Sequence, residues 1–285
     1  MRRLIAIILA TTAIVLAITP PSEAAPKKRN DPRRSNARPT GRGQNSFWEI
    51  PPRNLIDMPT AGTLPRGYWT TIVRLGPQGG ALGYIDIGLS SRFLLGLSFG
   101  GTHIISNDTP DWNSGLGINL KFRFIDEVEY FPAVTLGYAS QGTGPYNEDA
   151  KRYTFKSRGF YGVVSRGFYF YNWTAGGHFG INYSLEDDVD DENDVNFFAG
   201  IDATFQYNLA LTAEWDAALN DDRGTPADTG DVMFSGRGRG YLSLGIKWLF
   251  TEQLELEFIL KDLLVNRREY DTFGREVRIT YIDSF

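Results

Sequence analysis

Along most of this chain, apolar and polar residues change places at every step. Leu116, Ile118, Leu120, Phe122 and Phe124 alternate with Gly117, Asn119, Lys121 and Arg123. Leu242, Leu244, Ile246, Trp248 and Phe250 alternate with Ser243, Gly245, Lys247 and Leu249. Leu254, Leu256, Phe258 and Leu260 alternate with Glu255, Glu257, Ile259 and Lys261. A period of two marks a strand with one apolar and one polar face. No convincing 3.6-residue pattern runs beyond Pro65.

Turn signals divide this region into twelve expected strands, near 66–75, 81–90, 92–102, 115–125, 131–140, 153–166, 171–184, 195–205, 208–217, 238–250, 253–262 and 274–285. The connections after the second, fourth, sixth, eighth and tenth are short. Those at 103–114, 141–152, 185–194, 218–237 and 263–273 are mostly long. Short turns at one end, long loops at the other and charges recurring in the polar rows imply an all-β fold, a transmembrane antiparallel up-and-down β-barrel. A soluble sandwich would hide its apolar face against a second sheet. Segment 153–166 is ambiguous, because Phe160, Tyr161, Val163 and Val164 choose no face.

The last strand has the cleanest alternation. Val277, Ile279, Tyr281, Asp283 and Phe285 share one face, and Glu276, Arg278, Thr280 and Ile282 the other. This ending resembles the C-terminal assembly signal of bacterial outer-membrane barrels, with Val277, Ile279, Tyr281 and Phe285 in the signal positions. Asp283 stands where an apolar residue is usual. The resemblance implies the barrel-assembly machinery and outer-membrane lipid as partners.

The start of the chain has another character. Arg2 and Arg3, an apolar run from Leu4 to Ile18 and the small residues Ser22 and Ala24 read as a secretory signal peptide over 1–24. Residues 25–53 are expected to be a basic, disordered periplasmic tail, with the barrel occupying 54–285. Beyond residue 64, 19 Lys and Arg stand against 30 Asp and Glu, so the folded part is acidic and nucleic-acid binding has no support. The chain has no cysteine, which rules out disulfides and thiolate metal sites. Aromatic residues make up 14% of it. Trp69, Phe93, Phe99, Phe124, Tyr138, Trp173, Tyr183, Trp215, Trp248 and Phe250 fall near strand ends, where two interfacial girdles would sit.

Candidate chemistry is sparse. Only His103 and His178 occur. His103 precedes Ser106 and Asn107 at a strand-to-loop junction, while His178 alternates with Thr174, Gly176 and Gly180 and so faces the lumen. No catalytic residue, metal site or cofactor is expected. Glu186 to Asp194 carries seven acids in nine residues, but without the glycine and spacing of a calcium loop it reads as a solvated surface loop. The polar rows supply the expected lumen lining: Arg74, Lys121 and Arg123 from the first half, His178, Glu214 and Asp216 from the middle. Lys247, Glu255, Glu257, Lys261 and Arg278 continue it from the last strands. So many charges must pair or meet water.

Three segments carry a more specific resemblance: Asn54 to Gly67, Leu94 to Gly101, and Lys121 to Tyr161 with Ile125-Asp-Glu127, Phe131-Pro-Ala133, Leu136-Gly137 and Gln141-Gly-Thr-Gly144. Over 54 to about 180 the chain resembles the YjbH-type outer-membrane barrels associated with exopolysaccharide production. That implies a non-enzymatic role in exopolysaccharide export or saccharide passage, with polysaccharide or other export components as partners. An outer-membrane hydrolase (lipase- or protease-like) and a structural or adhesive barrel acting through its loops are the alternatives. An ordered Ser–His pair would favour the hydrolase. An open lumen lined by both charge signs would favour passage, and a plugged one the structural role.

Overall fold

The computed structural model describes residues 50–285, apart from 114, 149–150, 172, 187–194, 206–207, 222–235 and 269–270. The expected leader, the tail up to residue 49 and the acidic stretch 187–194 lie outside the described residues. The strands are β1 (Tyr68–Leu75), β2 (Ala81–Ser90), β3 (Phe93–Thr102), β4 (Asp111–Trp112), β5 (Gly117–Ile125), β6 (Ala133–Ala139), β7 (Thr143–Asn147), β8 (Arg152–Phe155), β9 (Gly159–Tyr169), β10 (Trp173–Tyr183), β11 (Val195–Phe205), β12 (Leu209–Asp216), β13 (Tyr241–Leu249), β14 (Leu254–Lys261) and β15 (Gly274–Ser284).

Twelve of these close a ring. The sheet runs β2-β1-β15-β14-β13-β12-β11-β10-β9-β6-β5-β3, and β2 pairs with β3 to complete the circle. β4 is a short strip added to β3, and β7 and β8 form a separate hairpin. The last strand seals onto the first in unbroken antiparallel register, from Tyr68 opposite Ser284 to Leu75 opposite Val277. Closure leaves no edge with unpaired backbone, which a sheet inside a bilayer cannot tolerate. The Phe285 N–H adds one more bond, to the Gly67 carbonyl at 3.0 Å. Both of these strand ends lie at what we call the terminus end; the long connections lie at the loop end.

Side-chain exposure follows the alternation. Leu244 is 41% and Phe258 58% exposed on the outside, whereas Lys121 and Glu257 are 1% and 0% exposed inside. Leu97, Leu136, Phe179, Ile201, Leu211, Ile246 and Leu260 continue the outer apolar belt. Aromatic pairs border it at both ends: Phe170 stacked on Trp173 and Trp248 on edge to Phe250 at the terminus end, Phe99 stacked on Trp112 and Tyr138 against Phe160 at the loop end. Trp69 packs between Tyr281 and Phe285 across the β1–β15 seam. An apolar belt bounded by aromatic rings is the exterior of a membrane-spanning barrel.

The expected strand 153–166 corresponds to two elements. Residues 152–155 belong to the β7–β8 hairpin, and the wall strand β9 begins only at Gly159, whose φ of +60° turns the chain into the sheet. Its two apolar faces also have a cause. Phe160 and Val164 face outward, while Tyr161 and Val163 face an apolar object inside the lumen.

Candidate functional site

That object is the segment ahead of β1. Residues 50–66 enter the lumen from the terminus end as a tight loop and return to β1. Asn54 bridges to Pro59, Leu55 N–H donates to the Met58 carbonyl at 2.9 Å, and Thr60 N–H to the Arg53 carbonyl at 3.0 Å. Leu55, Met58 and Ala61 are buried against Ala133, Tyr161, Val163 and Phe198 of the wall. Leu64 packs with Leu94 and Ile282 nearer the terminus end. The expected boundary between tail and barrel, at residue 53, falls inside this plug. Arg53 is ordered there, its guanidinium donating to Thr70 at 2.8 Å.

Glycine makes the room. A Cβ at Gly200 would collide with Leu55 and crowd Met58, and one at Gly88 would strike the backbone of Leu64 and Pro65. The plug's backbone is then bound by the charges of the wall. The N–H groups of Ile56, Asp57 and Met58 converge on the Glu214 carboxylate at 2.9–3.0 Å, an anion nest in the sense of successive amides around one negative group. Cations hold the opposite polarity. Arg278 donates to the Leu55 and Ile56 carbonyls at 3.2 and 2.6 Å. The Lys121 ammonium reaches the carbonyls of Arg53, Thr60 and Gly62 at 2.5, 3.1 and 3.3 Å, and Lys247 reaches that of Asn54 at 3.4 Å.

The strand register explains why these charges meet. Lys247 lies opposite Glu257, and Glu257 opposite Arg278, which lies opposite Arg74. The like-charged neighbours Arg74 and Arg278 are relieved by Glu276, which holds Arg74 at 2.7 Å and lies 3.8 Å from Arg278. Glu257 binds Arg278 at 2.9 Å and faces Lys247 at 3.9 Å. The plug's own Asp57 joins this network through Arg74 and Lys261, at 2.6 and 2.5 Å. Glu255 is buried on the same row. Arg123 takes a different place, at the terminus-end rim, paired with Asp126 at 2.9 Å and donating to the Ser91 carbonyl. Asp216 sits at the loop end in an ion pair with Arg158 and accepts from Asn196 at 2.6 Å.

His178 belongs to a constellation that spacing did not reveal. Its Nδ1 lies 2.7 Å from Ser165 Oγ and its Nε2 2.7 Å from Asp202 Oδ1. These are the distances of a nucleophile–base–orienter array. Its surroundings are those of a latch. Ser165 Oγ accepts the Ala61 N–H at 2.8 Å, and Thr135 Oγ1 donates to the Ala61 carbonyl at 3.1 Å. The plug thus occupies the face that a substrate would need, and none of the three residues borders the lumen cavity. His103, by contrast, sits in a loop with φ +57°, where its carbonyl accepts from Ser106.

Above the plug, towards the loop end, the lumen is not filled. A cavity of about 150 Å³ remains, bordered by the plug at Asn54, Ile56 and Asp57, by wall residues including Tyr84, Tyr161, Asn182 and Asp216, and by the hairpin at Thr143 and Phe155. The hairpin is held down by Arg267, which donates to the Thr154 carbonyl at 2.7 Å, and by Glu186, which accepts from the N–H groups of Tyr153 and Ser157. In the neighbouring loop, Asp221 accepts from the Tyr241 hydroxyl, and burial pushes its carboxyl up to about 6.

No family model matches the chain, and neither does any curated protein. Among solved structures it is similar to the KdgM porin (TM-score 0.43, 9% identity, 76% of this chain and 99% of that one). It is also similar to the NanC porin (0.42, 10%, 76% and 98%) and to outer membrane phospholipase A from Escherichia coli (0.33, 10%, 79% and 94%).

Proposed function

We propose that this chain is a non-enzymatic barrel of the bacterial outer membrane, a passage for saccharides in exopolysaccharide export that its own segment 50–66 holds shut. The observation that carries this reading is how the plug is attached. Its backbone is bound to Lys121, Glu214 and Arg278 through hydrogen bonds that water or a polyhydroxy ligand could replace, and the chain has no cysteine to make the attachment covalent. A wall bearing both charge signs remains hydrated once the plug leaves. In one structure of the KdgM porin that protein is in complex with disordered oligogalacturonate. The YjbH-type resemblance over 54–180 supports the link to exopolysaccharide, and the C-terminal signal supports insertion by the barrel-assembly machinery.

Absence of native cysteine makes the test clean. Ala61→Cys with Ser165→Cys would tether the plug to the wall under oxidation. In a planar bilayer the oxidised form should stay closed, while the reduced form and a chain lacking 50–63 should conduct and pass oligosaccharides. A static scaffold is the second reading, favoured by the plug itself. If deleting 50–63 leaves a folded barrel that still does not conduct, the scaffold stands and passage is wrong.

A further inference from the structure

We infer that the outer face of β11–β15, with the arginines at its loop end, is a docking surface for a phosphorylated lipid of the outer leaflet. Such docking does not rest on passage and holds for an open or a closed barrel. A groove of about 850 Å³, open to the outside, runs along this face, and its lining is almost wholly apolar. Ile201, Leu211, Leu244, Ile246, Phe258 and Leu260 supply most of it. The groove lies within the apolar belt, so in a bilayer acyl chains fill it. Charge at one end selects the lipid. Arg275 borders the groove and heads the outward face of β15, ahead of Val277 and Ile279. Its strand neighbour is Leu260, which in turn lies opposite Leu244. An arginine beside a lipid-facing apolar row is costly unless an anion meets it. Its guanidinium lies 5.4 Å from the centroid of the Phe273 ring. Asp271, the exposed carboxylate described in the preceding loop, pairs with Arg237 at 4.0 Å instead.

Three more arginines stand at the same end. Arg237 and Arg239 come from the loop joining β12 to β13, and Arg268 from the loop joining β14 to β15. Hydrogen bonds hold these two loops together. The Arg237 N–H donates to the Asn266 carbonyl at 2.7 Å, and the Arg239 N–H to Asn266 Oδ1 at 2.8 Å. The Arg268 guanidinium donates to the Gly236 carbonyl at 3.2 Å. Trp215, on the outward face of β12, donates its indole N–H to the Arg239 carbonyl at 3.4 Å, which ties the rim to the barrel's outer edge. Asp221 and Asp262 of the same loops are buried. Among the described residues, the surface charges of this rim are therefore Arg237, Arg239, Arg268 and Arg275 against Asp271. A basic rim on an otherwise acidic barrel favours an anion at this place. Guanidinium forks match phosphate oxygens two at a time. Long connections mark the outer side of a membrane barrel, so the phosphate belongs to an outer-leaflet lipid whose chains lie in the groove.

The test uses the chain folded in zwitterionic detergent micelles, with bound lipid counted by native mass spectrometry across a titration. The probes are bisphosphorylated lipid A, the same lipid with its phosphates removed, and inorganic phosphate. Lipid A should bind one-to-one, at least about tenfold more tightly than its dephosphorylated form. Arg239→Gln and Arg275→Gln should each weaken it about fivefold, and together about 25-fold, with the lipid-free melting temperature unchanged. Ala213→Phe fills the groove on β12 and should weaken both lipid forms alike. Arg66→Gln, at an exposed position of the terminus end, is the control and should bind lipid A like the parent. The site is overturned if the two lipids bind equally, or if the double variant binds like the parent. It is overturned as well if Ala213→Phe has no effect, or if inorganic phosphate displaces lipid A at equal concentration.

Discussion

The two halves of the lumen are built from the same strands and solve the same problem differently. Around the plug the chain fills its own barrel, and charges meet backbone: Glu214 takes three amides, and Lys121 takes three carbonyls. Beyond the plug, at the loop end, wall charges pair with one another, as Arg158 does with Asp216, and a cavity remains. The comparison teaches that a charged wall does not by itself specify a pore. Buried charges demand partners, and a loop of backbone satisfies them as well as water does.

The largest effect should come from removing Glu214. Glu214→Ala leaves three plug amides and nearby cations without their acceptor, a loss of about 3–5 kcal/mol. Hydrogen exchange at Ile56, Asp57 and Met58 should then become fast while the strands stay protected. Protection unchanged at these three amides would show that the apolar contacts alone hold the plug.

Arginine substitutions sharpen the contrast further. Leu244→Arg, on the lipid face, should cost about 2–4 kcal/mol if it lies near the bilayer midplane. Ser243→Arg, one residue away and facing the cavity, should cost much less. Thr135→Arg also faces inward but meets the plug at Ala61, so it should be as harmful as the lipid-face change. Equal costs at 243 and 135, read from unfolding in urea, would mean that the two halves do not differ.

A smaller effect is expected from pH. The raised Asp221 carboxyl binds its proton more tightly in the folded loop than in the unfolded chain. Its contribution to loop stability is full below the ordinary carboxylate range near 4 and is lost as pH rises through about 6. Protection factors at 217–221 and 262–267, with the base-catalysed intrinsic rate divided out, should therefore be higher at pH 5 than at pH 7.5. Asp221→Asn should remove that difference. Smallest of all, Tyr161→Phe should leave stability unchanged or raise it by up to about 1 kcal/mol, because the buried hydroxyl it deletes has no partner among the described residues. A marked loss in thermal unfolding would mean the hydroxyl is bonded after all.

What the sequence determined by itself is the wall. A period of two assigns each residue a face without knowledge of any neighbour, so Lys121, Glu257 and Arg278 could be placed inside and Leu244 and Phe258 outside from local order alone. Turn residues set the strand count in the same local way. Tertiary structure decided what the inside meets. Leu55, Ile56 and Met58, in a segment with no periodicity of its own, acquire a place only when the ring closes around them. The ambiguity of β9 was the one trace of this in the sequence: Tyr161 and Val163 are apolar on a lumen face because the plug lies against them. Ser165, His178 and Asp202 come from three strands, and no local pattern brings them together. Contacts between residues far apart in the chain depend on closure and shear, which no local pattern encodes.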